Sequence, residues 1–171
     1  MRILRLHLQN VHALRNQWTI QFDQFPLYEA GLFAITGPTG GGKSSLLDAM
    51  IVALYGRVPR YGHNTPTELM TRHTAETLIE LDFAVQQGRF RARWNLRRAR
   101  GQATGRVQPA RHELQNLDTN QTLDLRSSDV PKEVEKLTGL NMERFLRSVI
   151  LPQGDFACLL YTSPSPRDVI Q

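Results

Sequence analysis

One run of eight residues, from Gly37 to Ser44, has the clearest chemical signature in the chain. It fits the pattern G-x-x-x-x-G-K-[ST] without a mismatch. Glycines allow successive backbone N–H groups to point inward at a polyphosphate. Lys43 supplies a positive charge for the terminal phosphates, and the Ser44 hydroxyl is the expected ligand of Mg²⁺. The residues predicted to contact the nucleotide are Gly37, Pro38, Thr39, Gly40, Gly41, Gly42, Lys43, Ser44 and Ser45.

The elements on either side of this run support the phosphate-loop interpretation. Gly31–Thr36 is a short apolar segment that predicts a buried strand, and Lys43–Tyr55 predicts a helix from its apolar spacing. A helix that starts here directs its unpaired N–H groups and positive dipole end at the same anion. The alternative is a glycine-rich turn before a capped helix, which the Lys-Ser pair and the flanking elements disfavour.

Other segments alternate with period two and predict strands. Arg2–Leu8 and Gln17–Asp23 are the first two, and Trp18, Ile20 and Phe22 share one face of the second. A hairpin is predicted from Ile79–Gln86 and Arg89–Leu96, with a weaker strand at Arg111–Leu117.

Helical signals follow near the end of the chain. We expect helices at Val130–Leu137, N-capped by Asp129, and at Asn141–Arg147, then a short strand at Ser148–Leu151. Gly56–Thr74 has no clear period and predicts a long loop with a short helix near Glu68–Met70; loops of this length in compact domains are often functional.

The composition is that of a globular chain with an excess of arginine. It has 171 residues, a net charge of +5 and one cysteine. No apolar run approaches the roughly 20 residues of a membrane span. We therefore expect a cytoplasmic location and no membrane partner. The five histidines lack metal-ligand spacing, so each is expected to be structural or solvated.

Eight arginines and no acidic residue lie between Arg89 and Arg111. An arginine row on one strand face can follow a DNA backbone. The alternative is that these arginines pair with Glu80 and Asp82 on the neighbouring strand. The candidate DNA contacts are Arg89, Arg91, Arg93, Arg97, Arg98 and Arg100.

The sequence contains only half of a hydrolytic site. Hydrolysis needs a carboxylate that activates water and further charge at the γ-phosphate. No apolar run followed by Asp-Glu occurs, and no Ser-Gly-Gly segment that could cap a nucleotide from another subunit.

Four stretches together resemble the N-terminal ATPase lobe of the SbcC-type proteins, relatives of the structural-maintenance-of-chromosomes (SMC) ATPases and of the ABC class. They are Leu4–Asn10, Gly37–Leu54 with Gly56, Glu68–Arg72, and Leu137–Gly154 in part. The resemblance covers residues 1–157. It implies an α/β fold of the P-loop NTPase type: a mixed sheet carrying the phosphate loop and an antiparallel β subdomain.

The resemblance also implies roles and partners. Gln153 matches the Q-loop glutamine, a ligand of Mg²⁺ near the γ-phosphate; the alternative is a surface glutamine. His12 lies where many relatives place an arginine near the adenine and ribose. In the family, ATP and Mg²⁺ drive homodimerisation. The ATPase, completed by its own C-terminal lobe, gates an SbcD-type nuclease that acts on double-stranded DNA ends in repair and recombination.

The segment 158–171 departs from the family pattern. Pro164 and Pro166 exclude the helix that relatives have there, so we expect a non-native tail after residue 157. The alternatives are an ABC-transporter nucleotide-binding domain, a small nucleotide kinase or GTPase, and a non-functional truncated fragment. The isolated fragment is expected to be inactive as an ATP hydrolase.

Overall fold

A single antiparallel sheet organises the computed structural model, which describes residues 1–24, 27 and 42–148. Its six strands lie in the order β2-β1-β3-β4-β5-β6. Their bounds are β1 Arg2–Val11, β2 Leu14–Gln21, β3 Glu76–Val85, β4 Gly88–Arg97, β5 Arg111–Asn116 and β6 Gln121–Thr122. The hairpin β3–β4 is confirmed, and a two-residue loop joins Val85 to Gly88.

Alternation along the strands produces one apolar and one polar face. The apolar face is buried and contributes Leu6, Leu8, Ile79, Leu81, Phe83, Phe90, Ala92, Trp94 and Leu96 to the core. Helix α1, Lys43–Tyr55, packs against β1, β3 and β4, and helix α2, Val130–Thr138, packs against α1 and β5. The opposite face carries the arginines of β4.

Helix α1 has the predicted bounds because glycines stop it at both ends. Gly42 precedes it with φ 93° and Gly56 follows it with φ 70°, both in the left-handed region. The Gly56 N–H donates to the Val52 carbonyl at 2.8 Å. From Ala49 to Tyr55 every residue is buried, so this half of the helix is a core element.

The loop after α1 is docked against the turn between β1 and β2. The His12 N–H donates to the Leu69 carbonyl at 2.7 Å, and the Thr71 N–H donates to the Asn10 carbonyl at 3.1 Å. Two short 3₁₀ turns, Pro59–Tyr61 and Thr67–Leu69, shape the loop. The second corresponds to the short helix predicted near Glu68–Met70.

Several boundaries differ from the sequence predictions. β1 continues three residues beyond Leu8, and β2 begins three residues before Gln17. The alternation predicts Trp18 on a half-buried face, but its exposed fraction is 53%, because β2 lies at the edge of the described sheet. Asp129 occupies the N-cap position of α2 without a side-chain hydrogen bond.

The end of the described chain corrects one further prediction. Ser148 is the last residue of α3, Met142–Ser148, and does not start a strand. The rest of that predicted strand, the predicted strand 31–36 and the segment 158–171 lie outside the described residues. The chain divides into two units, Met1–Gly139 and Leu140–Gln171.

None of the helices within the described part of the chain is long and apolar enough to cross a membrane.

Candidate functional site

The N-terminus of α1 carries the described part of the predicted phosphate loop. Lys43 and Ser44 are the first two residues of the helix, and Ser44 is exposed. Gly42 needs its positive φ, and a Cβ there would also lie 3.0 Å from the Leu14 Cδ2 atom. The first turn contains no acidic residue, so no carboxylate of the helix itself offsets the positive end of its dipole. An anion is therefore favoured at this end of α1.

The same helix end offers a hydroxyl for a cation. Among the described residues, no group of three or more His, Cys, Asp or Glu side chains is placed to hold a metal ion. A Mg²⁺ ion at Ser44 would also take ligands from phosphate oxygens and water, as Mg²⁺ commonly does. The remaining loop residues, 37–41, and Gln153 lie outside the described part of the chain.

Ser45 is linked to the β1–β2 turn through His12. The His12 Nδ1 atom lies 2.9 Å from the Ser45 Oγ atom, and its Nε2 atom lies 2.9 Å from the Tyr61 hydroxyl oxygen. Both ring nitrogens therefore have partners within the protein. Burial lowers the pKa of His12, with a further lowering from Arg60, so the ring is neutral at pH 7.

Arg60, next to Tyr61, contacts α1 directly. Its Nη2 atom donates to the Oδ2 atom of Asp48, and its guanidinium carbon lies 5.0 Å from the Tyr61 ring centroid. Asp48 is 7% exposed. Burial raises the pKa of this carboxyl, and the nearby Arg60 charge opposes that rise. The pair holds the loop against the first half of α1.

A cavity of about 360 Å³ lies beside His12, on the side of the β1–β2 turn. Glu68, Met70 and Thr71 of the docked loop contribute to its wall. Arg15 also lines it and donates to the Arg72 carbonyl at 2.9 Å. The full lining is His12, Ala13, Arg15, Glu68, Met70, Thr71 and Arg72. The cavity therefore offers apolar, charged and hydroxyl groups close to the helix that carries Lys43.

The structure separates the predicted DNA arginines into distinct groups. Arg91 makes two hydrogen bonds to Asp82, at 2.7 and 2.9 Å, which raise the pKa of the Arg91 guanidinium. This is the cross-strand pairing considered as the alternative to DNA contact. Arg89 pairs instead with Asp118 at 2.9 Å, an acid that the sequence did not indicate.

The remaining predicted DNA arginines differ in their exposure and in whether they form ion pairs or hydrogen bonds. Arg97 pairs with Glu76 at 3.0 Å but is 57% exposed, and the Arg98 Nη1 atom donates to the Gly105 carbonyl at 3.1 Å. Within the described residues Arg93 forms no ion pair, and Arg100 is exposed. A shallow cavity of about 150 Å³ on the polar face is lined by Arg93, Asn95, Arg97, Arg111 and Glu113.

Sequence reasoning missed four residues around the helix: Asp48, Arg60, Tyr61 and His112. Asp48 could have been noticed as the one acid in the apolar run of α1. His112 could have been noticed at a buried position of the β5 alternation, where its Nε2–H donates to the Ala53 carbonyl at 2.7 Å. Arg60 and Tyr61 lie in a loop without periodicity and gave no signal.

Comparisons with known proteins agree with the motifs. A family model described as an AAA domain matches residues 5–161. Proteins named as the SbcC component of the SbcCD nuclease are 38% identical to this chain in Pseudomonas aeruginosa, Rhodobacter capsulatus and Bacillus subtilis. The alignments cover 99%, 98% and 92% of this chain respectively, and 16%, 15% and 14% of those relatives.

The chain thus spans about one sixth of the length of the relatives it matches. The match nevertheless runs through the phosphate loop, α1, the docked loop and the sheet. It confirms the resemblance to SbcC-type proteins inferred from the motifs. The chain belongs to the AAA domain family.

Proposed function

We propose that this chain is the ATP-binding part of an SbcC-type ATPase that gates a DNA-end-processing nuclease. The observation that carries the proposal is the start of α1: Gly42 in a left-handed conformation, then Lys43 and Ser44 in a first turn that contains no acidic residue. That arrangement is suited to a polyphosphate. The relatives are named as components of a nuclease, and that name supplies the biological setting.

In this proposal each residue has a role fixed by its chemistry. Lys43 contacts the terminal phosphates, and the Ser44 hydroxyl and Gln153 hold Mg²⁺. Residues 37–42 and Ser45 surround the phosphates. We assign the base and ribose to the cavity beside His12. Mg²⁺ supplies charge neutralisation during phosphoryl transfer, and the protein supplies orientation.

Replacing Lys43 tests the nucleotide site. Lys43→Ala removes a charge-assisted contact, for which we expect a loss of about 1.5–3 kcal/mol in Mg·ATP binding. Titration of a fluorescent ATP analogue into the wild-type and variant chains measures it. Lys132→Ala, an exposed lysine on α2, is the matched control and should bind as the wild type does. Equal affinities for wild type and Lys43→Ala would refute the site.

The proposed partners follow from the same assignment. They are an SbcD-type nuclease, the ATPase's own C-terminal lobe, a second copy bound through ATP, and double-stranded DNA ends. A transporter nucleotide-binding domain is disfavoured because the relatives are named as nuclease components. Pull-down of a nuclease rather than a membrane protein distinguishes the two.

We also propose that DNA contact involves the less restrained arginines, with Arg93 and Arg100 foremost. Arg93 lies on the polar sheet face beside a shallow cavity, and it lacks an ion pair among the described residues. Arg89 and Arg91 already pair with carboxylates. Arg97 and Arg98 extend the positive surface at the end of β4, and the net charge of +5 favours an anionic partner.

Two sets of arginine substitutions separate DNA contact from sheet stability. Arg93→Ala with Arg100→Ala should weaken duplex binding and reduce its salt dependence by about two released counterions. Arg91→Ala breaks the pair with Asp82 and should instead lower the melting temperature. Duplex affinity at several salt concentrations and thermal melting provide the readouts. A loss of duplex affinity in Arg91→Ala, but not in Arg93→Ala with Arg100→Ala, would contradict this assignment of roles.

A further inference from the structure

Three side chains from three segments form a continuous chain of hydrogen bonds to the first turn of α1. Tyr61 belongs to the loop after the helix, His12 to the β1–β2 turn and Ser45 to α1. The two links are both 2.9 Å, from the Tyr61 hydroxyl to His12 Nε2 and from His12 Nδ1 to Ser45 Oγ. We call these three residues the Tyr61–His12–Ser45 chain.

Hydrogen-bond chemistry restricts this chain to two arrangements. A neutral imidazole has one N–H donor and one acceptor nitrogen. In the first arrangement Nε2–H donates to Tyr61, and Nδ1 accepts the hydrogen of Ser45. In the second, Tyr61 donates to Nε2, and Nδ1–H donates to the Ser45 oxygen. The direction of the Ser45 hydroxyl is therefore coupled to Tyr61.

A phosphate oxygen accepts hydrogen bonds and cannot donate them. It gains the Ser45 hydroxyl hydrogen only in the second arrangement, because the first uses that hydrogen on His12. The second arrangement needs Tyr61 as a donor to Nε2. A bound phosphate and Tyr61 thus favour the same state of the imidazole.

Tyr61 is held in place independently of His12. The turn Pro59–Tyr61 is closed by the Tyr61 N–H donating to the Val58 carbonyl at 3.0 Å. The Arg60 guanidinium lies over the Tyr61 ring and is anchored on Asp48, one helical turn from Ser45. The donor is therefore fixed relative to the hydroxyl that it influences.

We propose that His12 and Tyr61 are positioning residues that orient the Ser45 hydroxyl toward a nucleotide phosphate. This makes the loop after α1 part of the phosphate site, although neither residue touches the phosphate. It assigns His12 to the phosphate side through Ser45, in place of a hydrogen bond to the base. The inference rests on the proposed nucleotide binding at α1.

A double-mutant cycle on Mg·ATP affinity tests the coupling. Tyr61→Phe removes one hydroxyl and should weaken binding by about two- to tenfold. The same substitution in a Ser45→Ala background should have no further effect, because the hydroxyl to be oriented is gone. Thr65→Val is the matched control: it removes an exposed hydroxyl from the same loop and should bind as the wild type does.

Thermal melting of all five chains accompanies the titrations. Equal losses of affinity from Tyr61→Phe in both backgrounds would overturn the inference, since a structural role acts regardless of Ser45. An unchanged Mg·ATP affinity in Tyr61→Phe would also overturn the inference. If Lys43→Ala still lowered the affinity, the proposed nucleotide site would stand without it. A wild-type chain that binds no Mg·ATP would overturn the proposed function and this inference together.

Discussion

Individual polar residues inside this protein join elements that lie far apart in sequence. His112 is 4% exposed, and its Nε2–H donates to the Ala53 carbonyl of α1, 59 residues away. Its environment is apolar, so a positive charge there would be poorly solvated. Burial lowers the pKa of His112 to about 4, although the hydrogen bond to Ala53 opposes the change.

This pKa predicts a loss of stability in mild acid. In the unfolded chain His112 is protonated at the ordinary histidine pKa of about 6.5. In the folded chain it is not protonated until the pH falls to about 4. The contribution of neutral His112 to the free energy of unfolding is therefore fully present above pH 6.5. It is lost as the pH falls from about 6.5 to about 4. Between pH 7 and pH 5, His112 should account for a loss of about 2 kcal/mol.

Urea unfolding at the two pH values measures the effect. His112→Gln keeps an N–H near the Nε2 position and cannot titrate, so its stability should change less between pH 7 and pH 5. His63→Gln, an exposed histidine, is the control and should retain the wild-type dependence. Equal pH dependence in His112→Gln and wild type would show that another group is responsible.

At the scale of elements, the two main helices end in the same way but in different surroundings. Gly56 after α1 and Gly139 after α2 both adopt φ 70°. A Cβ at Gly56 would lie 3.3 Å from the His112 Nδ1 atom, whereas a Cβ at Gly139 would have no atom of the described residues within 4 Å. The two positions separate backbone strain from crowding.

Alanine at each glycine gives a paired prediction. Gly139→Ala should cost about 1 kcal/mol from the left-handed backbone alone. Gly56→Ala should cost about 1 kcal/mol more, because the methyl group presses on His112 in a packed region. Urea unfolding provides both values. Equal losses would mean that His112 moves away without cost.

Elements were predicted most accurately where a periodic pattern was bounded by residues that end a helix or a strand. α1 was predicted with its observed bounds, since apolar spacing and a glycine at each end agree. The hairpin β3–β4 was predicted from a pattern of its own, in which apolar and polar residues alternate on both sides of a short turn.

Contacts between distant segments were not predictable from periodicity. Tyr61 meets His12 across 49 residues, and Asp118 meets Arg89 across 29. Neither contact leaves a repeating signal in the sequence. The docking of the loop on the β1–β2 turn decides both the surroundings of His12 and the partners of Ser45. The phosphate-loop residues 37–41 and Gln153 stay predictions.

For the molecule as a whole, we expect this chain to bind ATP without hydrolysing it. The sequence contains a phosphate loop but neither an Asp-Glu pair that could activate water nor a Ser-Gly-Gly segment that could cap a nucleotide from another subunit. Its relatives are about six times as long. Under the proposed function, these groups would come from a C-terminal lobe and from a second copy of the ATPase.

Phosphate release measures this division. The 171-residue chain should bind Mg·ATP without measurable turnover, and adding a separately expressed C-terminal lobe should restore hydrolysis. In the restored complex, Gln153→Ala should lower turnover more than ATP affinity, while Gln102→Ala, an exposed glutamine, should not. Steady release from the pure chain that Lys43→Ala abolishes would show that this chain holds the missing groups.

The edge position of β2 has a spectroscopic consequence. The chain has two tryptophans, and their exposed fractions are 53% for Trp18 and 1% for Trp94. A soluble quencher should therefore extinguish the emission of Trp18 and spare that of Trp94. The Trp18 indole N–H donates to the carbonyl of Arg15, which lines the cavity beside His12. Trp18 thus offers an intrinsic fluorescent signal for occupancy of that cavity, and Trp94 an internal reference for the intact core.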